Sequence, residues 1–131
     1  MKQVIYIILV LSAISCMKLS NNEYYIHATS QVDIIHTTIP DTVDNMSVNH
    51  IIASAKAPDQ CWSGLNFILS KDNDFEYSLK AFGLYESYGT CAPGVVYGDS
   101  AIMFKPTKTG LYKFNIFKAP NDIKIDTMIV R

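Results

Sequence analysis

From about residue 32 the chain carries successive runs in which apolar and polar side chains alternate with a period of two, the pattern of strands that bury one face. Residues 32–39 form the first such run and stop at Pro40-Asp41; residues 48–55 form the second and stop near Pro58-Asp59. In a third run, residues 65–69, Leu65, Phe67 and Leu69 share a face. Lys71-Asp72-Asn73-Asp74 has hairpin-turn chemistry, after which Phe75, Tyr77, Leu79 and Ala81 alternate with Glu76, Ser78, Lys80 and Phe82. Residues 83–99 are punctuated by glycine and proline and are expected to hold one short irregular strand. Residues 101–105 and 111–117 flank a polar corner, and residues 123–130 follow the turn Pro120-Asn121-Asp122. No later window has a helical period. Seven or so short strands in about 100 residues predict an all-β fold, an antiparallel β-sandwich.

At 131 residues the chain is one domain with appendages. Its charged fraction is 18% and its net charge −1, so it has neither the basic footprint of a nucleic-acid binder nor the charge excess of a disordered chain. Part of the apolar content sits at the start, where Lys2 precedes the unbroken run Val4-Ile5-Tyr6-Ile7-Ile8-Leu9-Val10-Leu11. A spanning helix needs about 20 apolar residues; this run weakens at Ser12, and Lys18 follows. Residues 1–15 are therefore expected to be an export signal.

The stretch Leu11-Ser12-Ala13-Ile14-Ser15-Cys16 resembles a bacterial lipoprotein signal, with Ser15 as the small residue before the cysteine. Ala13 stands where that family usually has a leucine-like residue. The resemblance implies that Cys16 is lipidated. Residues 17–29 are polar and without a sustained period, so residues 16–29 are expected to be anchor and tether and residues 30–131 the domain, the alternative being that Tyr24, Tyr25 and Ile26 start an edge strand. Met17 and Lys18 offer no retention acid after Cys16, which by analogy with that family places the protein in the cell envelope, lipid-anchored at the outer membrane. With Cys16 acylated, Cys61 and Cys91 remain from three cysteines. In an oxidising compartment they are expected to pair, the alternative being two buried thiols.

Gly110, Tyr112 and Phe114 resemble the penultimate-strand corner of immunoglobulin-like domains, in which the tyrosine hydroxyl bonds back to the preceding backbone. Phe114 replaces that family's core cysteine. The resemblance thus implies that Cys61 and Cys91 pin a loop at one end of an immunoglobulin-like sandwich rather than bridge its sheets. Residues 39–53 look like the first two strands of bacterial immunoglobulin-like modules. As a whole the chain resembles small lipoproteins of Bacteroidetes-type bacteria, a likeness that carries no activity with it.

Chemistry is sparse. His27, His36 and His50 fall in no zinc-like spacing, although His36 and His50 stand where neighbouring strands can bring them together. Asp72-Asn73-Asp74 offers oxygens for calcium with Glu76 as the only nearby further acid, but a plain hairpin turn accounts for the same residues. Ser63-Gly64 lacks the glycine of a nucleophile elbow. No catalytic residue, metal site or cofactor is expected. The suggestive residues are aromatic: Trp62, Tyr85, Tyr88 and Tyr97, with Phe82, cluster around the expected disulfide and form a candidate binding surface for a protein or glycan. The function expected is a binding or structural module on the membrane. The alternative is an envelope hydrolase or an inhibitor of an envelope enzyme; the hydrolase version needs Glu76, Glu86 and Asp99 to converge, or a catalytic thiol.

Overall fold

The structure, a computed structural model, describes residues 25–119 and 121–131. The expected signal peptide, Cys16 and most of the tether lie outside the described residues. The elements are β1 (Ile26–Thr38), β2 (Thr42–Val43), β3 (Asn49–Asp59), β4 (Trp62–Asn73), β5 (Glu76–Ser87), β6 (Pro93–Phe104), β7 (Gly110–Ala119) and β8 (Asp122–Val130). Among the described residues no helix is long and apolar enough to cross a membrane. β1 begins at Ile26, inside the stretch assigned to the tether.

The fold is all-β, as the alternation predicts, but its architecture differs from an antiparallel sandwich. All eight strands belong to one sheet, ordered β2-β8-β7-β5-β1-β3-β6, with β4 on the other edge of β5. Two pairings are parallel: β5 with β7, from Glu76↔Lys113 to Leu79↔Ile116, and β2 with β8. The parallel pair arises because the chain leaves β5, runs as β6 along β3, and returns as β7 in the direction of β5; parallel neighbours need such a crossover. Alternation records which face is buried and is blind to partner and direction.

β1 makes the sheet curl. Its first half, Ile26 to Val32, pairs with β5, and from Asp33 onward it pairs with β3, opposite Lys56. A strand shared between two partners at successive positions bends one half of the sheet over the other. The core fills the fold between them. Ile51, Ala53, Ala55 and Ala57 give β3 a narrow inner face, against Leu79, Ala81, Tyr112, Phe114, Ile116 and Met128. Phe114 packs edge-on to Phe104 at 5.3 Å, so aromatic packing holds the place that the immunoglobulin-like pattern gives to cysteine.

The region 83–99 also departs from the irregular loop expected there. Gly83 and Gly98 lie inside β5 and β6, and a Cβ on either would come within 2.7 Å of Leu65 on β4. These glycines admit Leu65 where the curled sheet closes on itself, a packing role rather than a turn role.

The corner before β7 behaves as expected. Gly110 has φ +143°, a region that side chains resist. The Tyr112 hydroxyl donates to the Lys108 carbonyl at 3.0 Å and accepts from the Lys108 N–H at 3.3 Å.

Candidate functional site

Cys61 and Cys91 are bridged, with Cα atoms 5.4 Å apart. Cys61 sits in the two-residue turn between β3 and β4, and Cys91 in the connection from β5 to β6. Backbone bonds reinforce the staple: Gln60 N–H donates to the Ala92 carbonyl at 3.1 Å, and Glu86 N–H to the Cys61 carbonyl at 2.9 Å. Asp59 Oδ1 accepts from the Cys61 N–H at 3.0 Å. Asp59, Cys61 and Cys91 place ligand atoms within 4.8 Å of one another, yet both sulfurs are spent on the bridge and neither is a thiolate.

The four expected aromatics separate into groups. Trp62 and Tyr85 meet edge to face at 5.2 Å because their strands pair Trp62↔Tyr85. The Tyr85 hydroxyl lies 3.3 Å from Cys91 Sγ. Tyr88 is 73% exposed and packs on Tyr25 at 4.8 Å. Tyr97, 67% exposed, stands on β6 directly opposite Lys56.

A cavity of about 470 Å³ opens where β1 changes partners, lined by Gln31, Asp33, Lys56, Pro58, Trp62 and Val95. That volume lies in the range of small-molecule sites. Its origin is topological. β1 joins β3 only from Asp33↔Lys56, so Pro58 and the end of β3 lack a β1 partner, while Gln31 has turned to Phe82 of β5. Pro58, which has no N–H, falls at the bulge between Ala57 and Asp59, where the ladder loses nothing. Direct antiparallel partners share a face, which puts Asp33, Lys56 and Tyr97 in one row across β1, β3 and β6. Among the described residues neither Asp33 nor Lys56 has an ion-pair partner within 4.0 Å. Gln31 Nε2 is buried and has no hydrogen-bond partner, a deficit worth about 1–3 kcal/mol when left unmet.

Sequence reasoning singled out Trp62 and missed Gln31, Asp33, Lys56 and Val95. No spacing links residues 31–33 with 56–58; only the fork brings them together. It also missed a cluster beside Tyr88. There Tyr25 donates to Glu86 Oε1 at 2.9 Å, and His27 Nδ1 lies 3.0 Å from the same oxygen. The bond to Glu86 pushes the Tyr25 phenol up from its ordinary value.

The other candidates do not assemble. Glu76 and Glu86 are ten residues apart on β5, roughly 33 Å at 3.3 Å per residue, and Asp99 lies on β6. His36 faces Ser54 rather than His50. In the 72–74 turn, Ser78 donates to Asp72, Asn73 Oδ1 accepts from Phe75 N–H at 3.0 Å, and Asp74 pairs with Lys71 and Lys108. These oxygens serve the hairpin. No protein-family model, no curated protein and no solved structure matches this chain.

Proposed function

We propose that the protein is a lipid-anchored binding module of the bacterial cell envelope, held at the outer membrane through Cys16 and engaging a protein or glycan with its disulfide end. The observation that carries this reading is the concentration at one end of a cavity walled by Trp62, a disulfide that stiffens its rim, and two tyrosines exposed beyond what folding requires. Exposed aromatics beside a preformed cavity are the composition of recognition surfaces.

The path of the chain fits an anchor. Ile26 pairs with Ser87, a few residues before Cys91, so the segment leading back to Cys16 leaves from the aromatic end. Ile26 lies ten Cα steps from Cys16, a reach of at most about 36 Å. That end of the domain would work close to the bilayer, where confinement strengthens weak contacts through effective concentration. Kinship with the immunoglobulin-like domains of small Bacteroidetes-type lipoproteins is part of the same reading, and its support is the Tyr112 corner.

The test has two arms. Cys16→Ser should move the protein from membrane to soluble fractions, and continued retention would remove the anchor from the proposal. Affinity capture from intact envelopes, with the lipidated protein as bait, should yield a partner that the Tyr88→Ser/Tyr97→Ser variant loses. A partner recovered equally by both proteins would place recognition elsewhere.

A further inference from the structure

The fork cavity has a chemistry specific enough to name a ligand class. One wall is an indole ring, continued by Pro58 and Val95. Around it stand a carboxylate, Asp33, an ammonium, Lys56, and the amide of Gln31. The two charges sit on directly paired residues, so their fields largely cancel in the cavity, and a charged ligand gains little there. Both are nonetheless without ion-pair partners among the described residues. The occupant that suits these groups is neutral. It presents an apolar face to the ring and, at its margin, oxygens that both donate and accept.

We propose that this cavity is a saccharide-binding site. The C–H face of a pyranose lies on Trp62. Of two neighbouring hydroxyls, one donates to Asp33 and the other accepts from Lys56, both of which line the cavity. Tyr97, exposed in the same row as Asp33 and Lys56, extends the site for a second sugar unit. A peptide backbone also offers donors and acceptors, but strands are recognised by adding to a free sheet edge. At the cavity the edge that β3 leaves without a β1 partner is only Ala57 to Asp59 and includes Pro58, which has no N–H to give an added strand. The inference rests on the binding role proposed above and assigns it a ligand class and a place.

Trp62 is the only tryptophan in the chain, so its fluorescence reports this cavity alone. The full-length protein is titrated with glucose, galactose, mannose, N-acetylglucosamine and their linear trimers, with tri-alanine as the peptide arm. Saturable change in emission is expected with at least one saccharide. Lys56→Ala and Asp33→Ala should each weaken it tenfold or more with unchanged melting behaviour, whereas Lys108→Met, at the corner before β7, leaves it intact. No response to any saccharide, a response to tri-alanine in their place, or binding that survives both cavity variants overturns the proposal. If envelope capture persists without saccharide binding, the site assignment falls and the binding role stands. If capture fails as well, both fall.

Discussion

At the corner between β6 and β7, Tyr112 is 1% exposed, yet its hydroxyl meets the Lys108 backbone as both donor and acceptor. The ring belongs to the core, packed edge to face against Phe75 at 5.2 Å and Phe104 at 5.6 Å, so Tyr112→Phe removes the hydroxyl and leaves the packing. Lys108 is exposed and water can take over part of its bonding. The expected cost is therefore about 1 kcal/mol, read as a lower urea midpoint with an unchanged slope; an unaltered midpoint would show that the corner bond contributes nothing. This residue was legible in the sequence because its role is local. Gly110, Tyr112 and the polar run before them are neighbours in the chain, and alternation alone turns Tyr112, Phe114 and Ile116 inward. Gln31 is the opposite case. It sits in an ordinary strand run, and its place beside the fork follows from β1 changing partners between Val32 and Asp33.

The elements were legible to different degrees. Runs bounded by turn residues, such as β3, β7 and β8, emerge near their expected positions because turn chemistry and alternation agree there. β5 and β6 emerge longer, since Gly83 and Gly98 read as breakers until Leu65 is seen to occupy the space a Cβ would need. At the same level, the turn between β4 and β5 is tied to the corner before β7 by Asp74, which pairs with both Lys108 and Lys71. Bonds from these ammonium groups, Lys108 first, hold the Asp74 carboxyl down from its ordinary 3.8 to about 2. A carboxyl lowered by folding adds stability that is complete above its unfolded value and is lost as pH falls through the folded one. Glu76, lowered by Asn115, Lys113 and Asn73, acts in the same sense. Stability should thus decline between about pH 4 and pH 2, and Lys108→Met should make the decline shallower without abolishing it. Asp74 is exposed, so the change is small. Urea midpoints measured across that interval check it, and superimposable profiles for the two proteins would dismiss the tie.

For the molecule as a whole, the bridge between Cys61 and Cys91 closes a separation of 30 residues, which in the chain-entropy model stabilises by about 3 to 4 kcal/mol. That is a large share of the roughly 5–15 kcal/mol available to a domain of this size. The Cys61→Ala/Cys91→Ala protein should lose stability of that order in chemical denaturation. Because the bridge joins the two connections that frame the aromatic end, amide exchange should rise there first; uniform exchange would refute a local staple. Cysteine parity and an exported reading of the chain were enough to expect this pair. By itself the sequence determined what is carried by neighbours along the chain: the all-β character, the inward faces, the corner and the pairing of two cysteines. Only the tertiary structure decided which strands pair, that two pairings run parallel, and that Gln31, Asp33 and Lys56 surround Trp62. The physical reason is that a side-chain period of two specifies a face and not a partner. Partners are chosen by how the whole sheet can curl, close over Leu65 and bury its apolar area, and the fork that makes the cavity is a product of that choice.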